Sequence, residues 1–348
     1  MTKKEQNQLD KVSWYVGIDV SKATFNYCIR YNGEKVINGK SSNNETAIVE
    51  LINSMKLLPA FKIPKAVFGL EHTGIYTIKI LRQLHKLKAN VVLEPATRIK
   101  NSLGLLRGKN DKLDAARIAK YLIRNHPFLN LWHPKREIIE HLASLSTLRE
   151  RVVKMHKAMT TPLKEDFEFF NEKISKKNIT LCFRSVSSLE DDLLNIESFM
   201  KELINSDDHI KKLMNIMLSV PGIGPVTALQ ILIHTNEFKT INSARAFAAY
   251  CGVAPFEHTS GTSIKKRSKV SPLANKKIKS LLHNGVRTCI ANDPELRTYY
   301  RRRVDIDMKN KTSMMNAVKF KIICRLFACI KEDRLYQKEY SPKLNKPE

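Results

Sequence analysis

Four carboxylates occupy positions from which they could act together. Asp19 ends the apolar run Val16-Gly17-Ile18-Asp19, and Glu71 ends a second, Phe68-Gly69-Leu70-Glu71. Strand ends are where α/β sheets hold ligand groups. Asp111 and Asp114 stand three residues apart at a helix start and so share a face. Four acids converging there would repel one another unless cations bind between them. Two Mg²⁺ ions about 4 Å apart would neutralise the set and could activate a nucleophile on a phosphodiester. Taken singly each acid is ordinary: Asp111 is equally a helix N-cap, and Asp19 a strand-end turn residue.

Two further motifs suit phosphate chemistry. Pro221-Gly222-Ile223-Gly224-Pro225-Val226-Thr227-Ala228 resembles the hairpin of a helix-hairpin-helix motif. Gly222 and Gly224 would let backbone N–H groups approach a phosphate at a helix N-terminus, without reading base sequence. The other reading is a tight helix–helix turn. The second motif is His258-Thr259-Ser260-Gly261-Thr262-Ser263, followed by Lys265, Lys266, Arg267 and Lys269. A serine hydroxyl is a weak nucleophile unless it is activated and the developing charge is stabilised. The cations could supply that field. The other reading is a polar loop that only binds phosphate, with His258 as a loop histidine.

The elements that must position these groups fall into distinct stretches. Residues 14–130 read as an α/β unit. Strands are expected over 14–20, 23–31 and 34–40, with Asn32-Gly33 a strong hairpin signal. A helix capped at Asn43 or Asn44 runs to about Met55. Strands over 65–70 and 89–93 flank a helix over 74–87, and another helix runs from Asp111 to about Ile123, before His126-Pro127. Three strands in meander followed by alternation with helices is the order of a ribonuclease-H-like sheet, though other α/β folds share it. In the middle, Leu145, Leu148, Val152, Met155 and Met159 recur at coiled-coil spacing, as do Leu189, Leu193, Ile196, Met200 and Leu203. A break is expected near Thr161-Pro162. The expected organisation is residues 1–130 as a metal-binding domain, 131–212 as a coiled-coil spacer or oligomerisation arm, 213–336 as a mostly α-helical nucleic-acid-binding domain, and 337–348 as a disordered tail.

The charge balance narrows the partners. The 348 residues carry 60 Lys and Arg against 34 Asp and Glu, a net +26 at pH 7. That favours a polyanion, most simply nucleic acid, with salt-sensitive binding. The charge is uneven. Residues 161–210 hold 11 acids and 6 Lys or Arg, whereas 258–292 hold eight Lys or Arg and no acid. Arg98, Lys100, Arg107 and Lys109 lie beside the acids in sequence and are expected to hold backbone phosphates. No apolar run is long enough for a membrane span, and the polar first fourteen residues lack a signal core. The six cysteines form no C-x-x-C pair, so a zinc ribbon or disulfide framework is not expected. Nor is there a phosphate-loop signature that would imply ATP.

Three segments carry a family resemblance. They are Tyr15-Val16-Gly17-Ile18-Asp19-Val20-Ser21-Lys22, Glu71-His72-Thr73-Gly74 and Lys109-Asn110-Asp111-Lys112-Leu113-Asp114-Ala115. With Pro221-Gly222-Ile223-Gly224, Tyr250-Cys251-Gly252-Val253-Ala254-Pro255 and His258-Thr259-Ser260-Gly261, they resemble the DEDD transposases of bacterial and archaeal insertion sequences over nearly the whole chain. Asn110 departs from the small hydroxyl residue usual before the D-x-x-D pair, and leaves the acids untouched. The resemblance implies a resolvase-type, ribonuclease-H-like N-terminal domain whose four acids bind divalent metal. It implies a C-terminal serine that attacks DNA and forms a phosphoserine link; by motif this is Ser260, with Thr259 and Ser263 close by. It also implies a dimer or tetramer arranged by the coiled coil, acids from one subunit meeting the serine of another. Donor and target double-stranded DNA would be the substrates, a non-coding bridge RNA the guide, and the prokaryotic cytoplasm, at the nucleoid, the location. The alternatives are a metal-dependent junction-resolving endonuclease using water, and an architectural nucleic-acid-binding protein with structural acids.

Overall fold

The computed structural model describes residues 8–104, 111–260 and 264–339, with backbone alone at 111–112, 257–260 and 264–268. The chain divides into two compact units, Met1–Pro134 and Lys135–Glu348.

The first unit is built on a five-stranded mixed sheet. Strands β1 (Trp14–Val20), β2 (Thr24–Tyr31) and β3 (Glu34–Ser42) form an antiparallel meander. Asn32 and Gly33 both take positive φ, 46° and 92°, which suits a two-residue hairpin turn. Strands β4 (Ala66–Glu71) and β5 (Asn90–Glu94) add in parallel, giving the order β3-β2-β1-β4-β5. Helices α1 (Glu45–Lys56, capped by Asn44), α2 (Ile78–Lys86), α3 (Ala96–Ser102) and α4 (Asp111–Arg124) complete it. The helix expected from residue 74 begins instead with a 3₁₀ turn, Gly74–Thr77, and α3 is an addition.

Alternation along the strands sorts the two faces. Val16, Ile18 and Val20 pack with Ile48, Leu51, Ile52 and Met55 of α1 and Ile80 and Leu84 of α2. Tyr15, Val67 and Val92 point the other way, onto Ile99 of α3 and Ile118, Tyr121 and Leu122 of α4. Gly17 lets α4 lie close: a Cβ there would stand 2.2 Å from the Ala115 carbonyl oxygen and 2.4 Å from the Ala119 nitrogen.

The second unit is mostly helical. Helices α5 (Glu137–Phe169) and α6 (Glu172–Asn205) form a long antiparallel hairpin. Arg149 donates to Glu197 at 2.7 Å, His156 meets Glu190 at 3.0 Å, and Asn178 donates to Asp166 at 3.3 Å, in reversed order along the two helices. The break expected at Thr161-Pro162 does not occur: Pro162 lies inside α5. The exposed proline forfeits one N–H bond, while contacts beyond it, including Ser175 Oγ donating to the Asp166 carbonyl, hold the helix to Phe169.

Helices α7 (Asp208–Ser219), α8 (Pro225–Thr235), α9 (Ala244–Tyr250), α10 (Lys276–Asn292), α11 (Pro294–Arg301) and α12 (Lys311–Lys331) gather around one core. It joins Ala228 and Leu232 of α8, Leu282 and Val286 of α10 and Ile322 and Leu326 of α12. Ile139, Leu142 and Met200 from the base of the α5–α6 hairpin belong to the same core. One antiparallel strand pair interrupts the helices, β6 (Pro255–Ser260) and β7 (Ile264–Val270).

Candidate active site

The acids of the first unit gather at one end of the sheet. Ile18 and Leu70 are partners in the parallel β1–β4 ladder, so Asp19 and Glu71 end adjacent strands at matching positions. Neighbouring strands run about 4.8 Å apart, and alternation sends both side chains toward the α4 face, with Gly17 and Gly69. Glu71 in turn pairs with Glu94 at the end of β5. Asp19 and Glu71 are partly exposed, whereas Glu94 is buried.

Helix α4 brings the other two acids to this end. It runs antiparallel to β1: Tyr15 meets His126 beyond the helix C-terminus, ring centroids 5.7 Å apart, while Gly17 meets Ala115 and Ala119. Two strand residues further on, about 6.6 Å, correspond to roughly four helix residues. Asp19 is therefore level with the first turn of α4, which contains positions 111 and 114. Asp114 accepts from Arg117 at 2.6 Å. The Asp111 side chain lies outside the described residues. Among the described residues, no three His, Cys, Asp or Glu side chains are grouped closely enough to hold a metal ion.

Glu94 was not singled out in the sequence, although Val91-Val92-Leu93-Glu94 ends in an acid just as the Glu71 strand does. Its carboxylate accepts from the Tyr121 hydroxyl at 3.1 Å and from Arg98 Nη1 at 3.1 and 3.2 Å. Burial, with the Glu94 charge, pushes the Tyr121 hydroxyl up to about 12. Arg98 is thus tied to Glu94, while Lys100 is exposed. Arg107 and Lys109 lie outside the described residues.

In the second unit, Gly222 and Gly224 join α7 to α8 and play unlike parts. Gly222 has φ +87°, and a Cβ on it would stand 2.6 Å from Cys289 Sγ and 3.1 Å from the Gly285 carbonyl oxygen of α10. Close packing on α10 accounts for Gly222. Gly224 is exposed, is the N-cap of α8, and has nothing within 4 Å of its Cβ position. The segment holding Ser260 is not a loop throughout: Ser260 ends β6 opposite Ile264, with Thr259 opposite Lys265 and His258 opposite Lys266. A hairpin was not legible there because the run lacks apolar alternation. The side chains of Ser260, Lys265, Lys266 and Arg267, and all of Ser263, lie outside the described residues; Lys269 is exposed. No described helix is long and apolar enough to cross a membrane.

Comparison with known proteins assigns both units. Residues 16–166 match the family model of DEDD transposases of the IS110 type, and residues 214–301 that of the transposase IS116/IS110/IS902 family. Together they span about two thirds of the chain. Pilin gene-inverting proteins of Moraxella lacunata and Moraxella bovis are 25% identical over 93% of this chain and 98% of their own length. An uncharacterized 43.6 kDa protein of insertion element IS110 from Streptomyces coelicolor is 28% identical over 35% of this chain and 30% of its own. The acid-bearing sheet and the helical unit that follows it are thus the two parts of a DNA transposase, and the chain belongs to the IS110 family.

Proposed function

We propose that this transposase cuts and rejoins DNA with the Ser260 hydroxyl as nucleophile, assisted by divalent metal held by Asp19, Glu71, Asp111 and Asp114. The observation that carries the metal half is the pairing of Asp19 and Glu71 at the ends of adjacent parallel strands, level with the first turn of α4. The strand order β3-β2-β1-β4-β5 supports a ribonuclease-H-like, resolvase-type reading of this unit. An all-carboxylate donor set suits a hard cation such as Mg²⁺, and two ions would balance four acids. Bound there, the metal would supply Lewis-acid polarisation of the scissile phosphate.

The chain's own groups carry the remaining steps. The Ser260 oxygen bonds to phosphorus as one bridging P–O bond breaks, and the hydroxyl proton passes to the freed strand. A second strand's hydroxyl then displaces the serine, which regains a proton. Each step exchanges one phosphodiester for another, so no ATP is consumed. Lys265 and Lys266, across the ladder from Thr259 and His258, belong to the strand that would balance the phosphorane charge. A name such as pilin gene-inverting protein supports rejoining, since inversion requires that cut ends be resealed.

The metal-dependent endonuclease using water is the second reading. It is favoured by the placement of all four acids in one unit, within a single matched model. The architectural reading falls with the family assignment, which makes the chain an enzyme. A bridge RNA, a dimer or tetramer arranged by the α5–α6 hairpin as a coiled coil, and donor and target duplexes as substrates complete the proposal.

Ser260→Ala decides between the readings. Loss of covalent protein–DNA adducts and of recombination is the expected result. Cleavage by S260A without any adduct would transfer the chemistry to water. Asp19→Asn should lose cleavage and keep DNA binding. Sequencing the nucleic acid that co-purifies with the protein tests the RNA, with one defined species expected.

A further inference from the structure

The second unit contains a group of cations with no acid among them. Lys279, His283 and Arg287 recur every fourth residue on α10 and so form one stripe. Lys319 of α12 is only 4% exposed, and its ammonium donates to Asn316 Oδ1 at 3.1 Å. Burial and the nearby Lys279 ammonium push Lys319 below the ordinary lysine range. Burial, then Lys319 and Arg287, push His283 down as well. Among the described residues, no carboxylate bonds to any of these four. Interior ammonium groups are costly to keep unless an anion completes the site.

The position of Lys279 shows where this group opens. A Cβ on Gly252 would stand 3.7 Å from Lys279 Nζ, and Gly252 leads through Val253 and Ala254 directly into β6. Lys279 therefore lies at the base of the hairpin whose far end is Ser260 and whose return strand carries Lys265, Lys266, Arg267 and Lys269, with His283 and Arg287 following one and two turns along α10. A buried lysine beneath a helical stripe of cations would be unusual as a packing device, since a methionine fills the same space without the desolvation cost.

We propose that Lys279, His283 and Arg287, with the buried Lys319 adding its field from behind, form a phosphate seat that grips the DNA backbone beside the base of the β6–β7 hairpin. The proposal rests on the reading of this unit as DNA-holding. It reads no bases, so it serves any sequence alike.

The test measures binding of the full-length protein to a labelled DNA duplex, and to a labelled single-stranded RNA, across a salt series. Lys319→Met and Arg287→Gln are compared with the unmodified chain. R287Q should weaken duplex binding about tenfold and lower the slope of log K against log salt by about 1, while K319M, which removes a field rather than a contact, should weaken binding by about threefold. K319M should melt no lower than the unmodified chain, because it removes an interior cation without a countercharge. R287Q, at an exposed position, reads the seat even if K319M fails to fold. Unchanged slopes in R287Q, or losses confined to RNA, would overturn the seat. A salt-independent unmodified chain would overturn the DNA-holding reading as well, whereas normal salt dependence with unchanged variants removes the seat alone.

Discussion

Gly17→Ala should separate helix placement from general stability. The added methyl would stand 2.2 Å from the Ala115 oxygen and 2.4 Å from the Ala119 nitrogen. Both are backbone atoms, so no side-chain rotation relieves the clash. Ordinary contact begins near 3.4 Å, which requires α4 to withdraw by about 1.2 Å. Overpacking of this kind costs about 1–3 kcal/mol, and backbone contact places it at the upper end. For a unit of this size the melting temperature should fall by roughly 10 °C. The same displacement carries Asp114 away from Asp19 and Glu71, and a misplacement of about 1 Å can cost 100-fold in rate. Calorimetry and single-turnover cleavage of an element-bearing plasmid measure the two effects. Gly33→Ala is the control: its φ of 92° strains an alanine, yet open space surrounds it, so stability falls with no helix displaced. G17A with unchanged melting temperature would refute the close packing of α4. G17A that is destabilised but cleaves at the rate of G33A would refute the placement of the α4 acids beside Asp19.

Other perturbations test separate points. Burial, Lys135 and Lys277 push His234 down to about 4, so the folded protein keeps it neutral while the unfolded chain takes up a proton below about 6.5. Its contribution is therefore complete above pH 6.5 and is lost as pH falls toward 4; denaturant titrations at several pH values should show this acid limb flattened in His234→Gln, and parallel curves would contradict it. Arg136 bonds both Asp207, at 2.6 Å, and the fully buried Glu237 carboxylate, at 3.0 Å. Arg136→Ala should cost about 3 kcal/mol in urea melts, because it strips an interior carboxylate of its main partner; a loss below 1 kcal/mol would discount that network. Pro162→Ala restores the N–H that the Ala158 carbonyl lacks and should stabilise the α5–α6 hairpin by up to about 3 kcal/mol, seen as slower amide exchange near residue 162. Gly224→Ala has free space and should keep stability within about 0.5 kcal/mol; unchanged duplex affinity would show that no phosphate approaches closely enough at Gly224 to require a glycine.

Local patterns carried much of the acid-bearing unit. Apolar runs ending in Asp19 and Glu71 mark strands whose last residues face a ligand site, and β1 and β4 end at or next to those residues. Asn32-Gly33 specifies its turn because both positions need positive φ. Charge counts and the D-x-x-D spacing at Asp111 and Asp114 required no fold at all. Glu94 was equally legible by the strand-end argument; what singles it out is burial, with Tyr121 and Arg98 on its carboxylate.

Other features depended on residues far apart in sequence. Pro162 predicts a helix end locally, yet antiparallel pairing of α5 with α6 carries the helix past it. Gly222 reads as a phosphate-approaching glycine until α10 packs against it, with Cys289 Sγ 2.6 Å from where a Cβ would stand. Lys319 reads as one lysine among many until the core closes over it beside the α10 stripe. The sequence by itself determined which residues could do chemistry and where strands, turns and charge lie, because those follow from neighbours along the chain. Only the tertiary structure decided which acids share a sheet end, which glycine is a packing device and which cation is buried, because those follow from contacts that close across long loops.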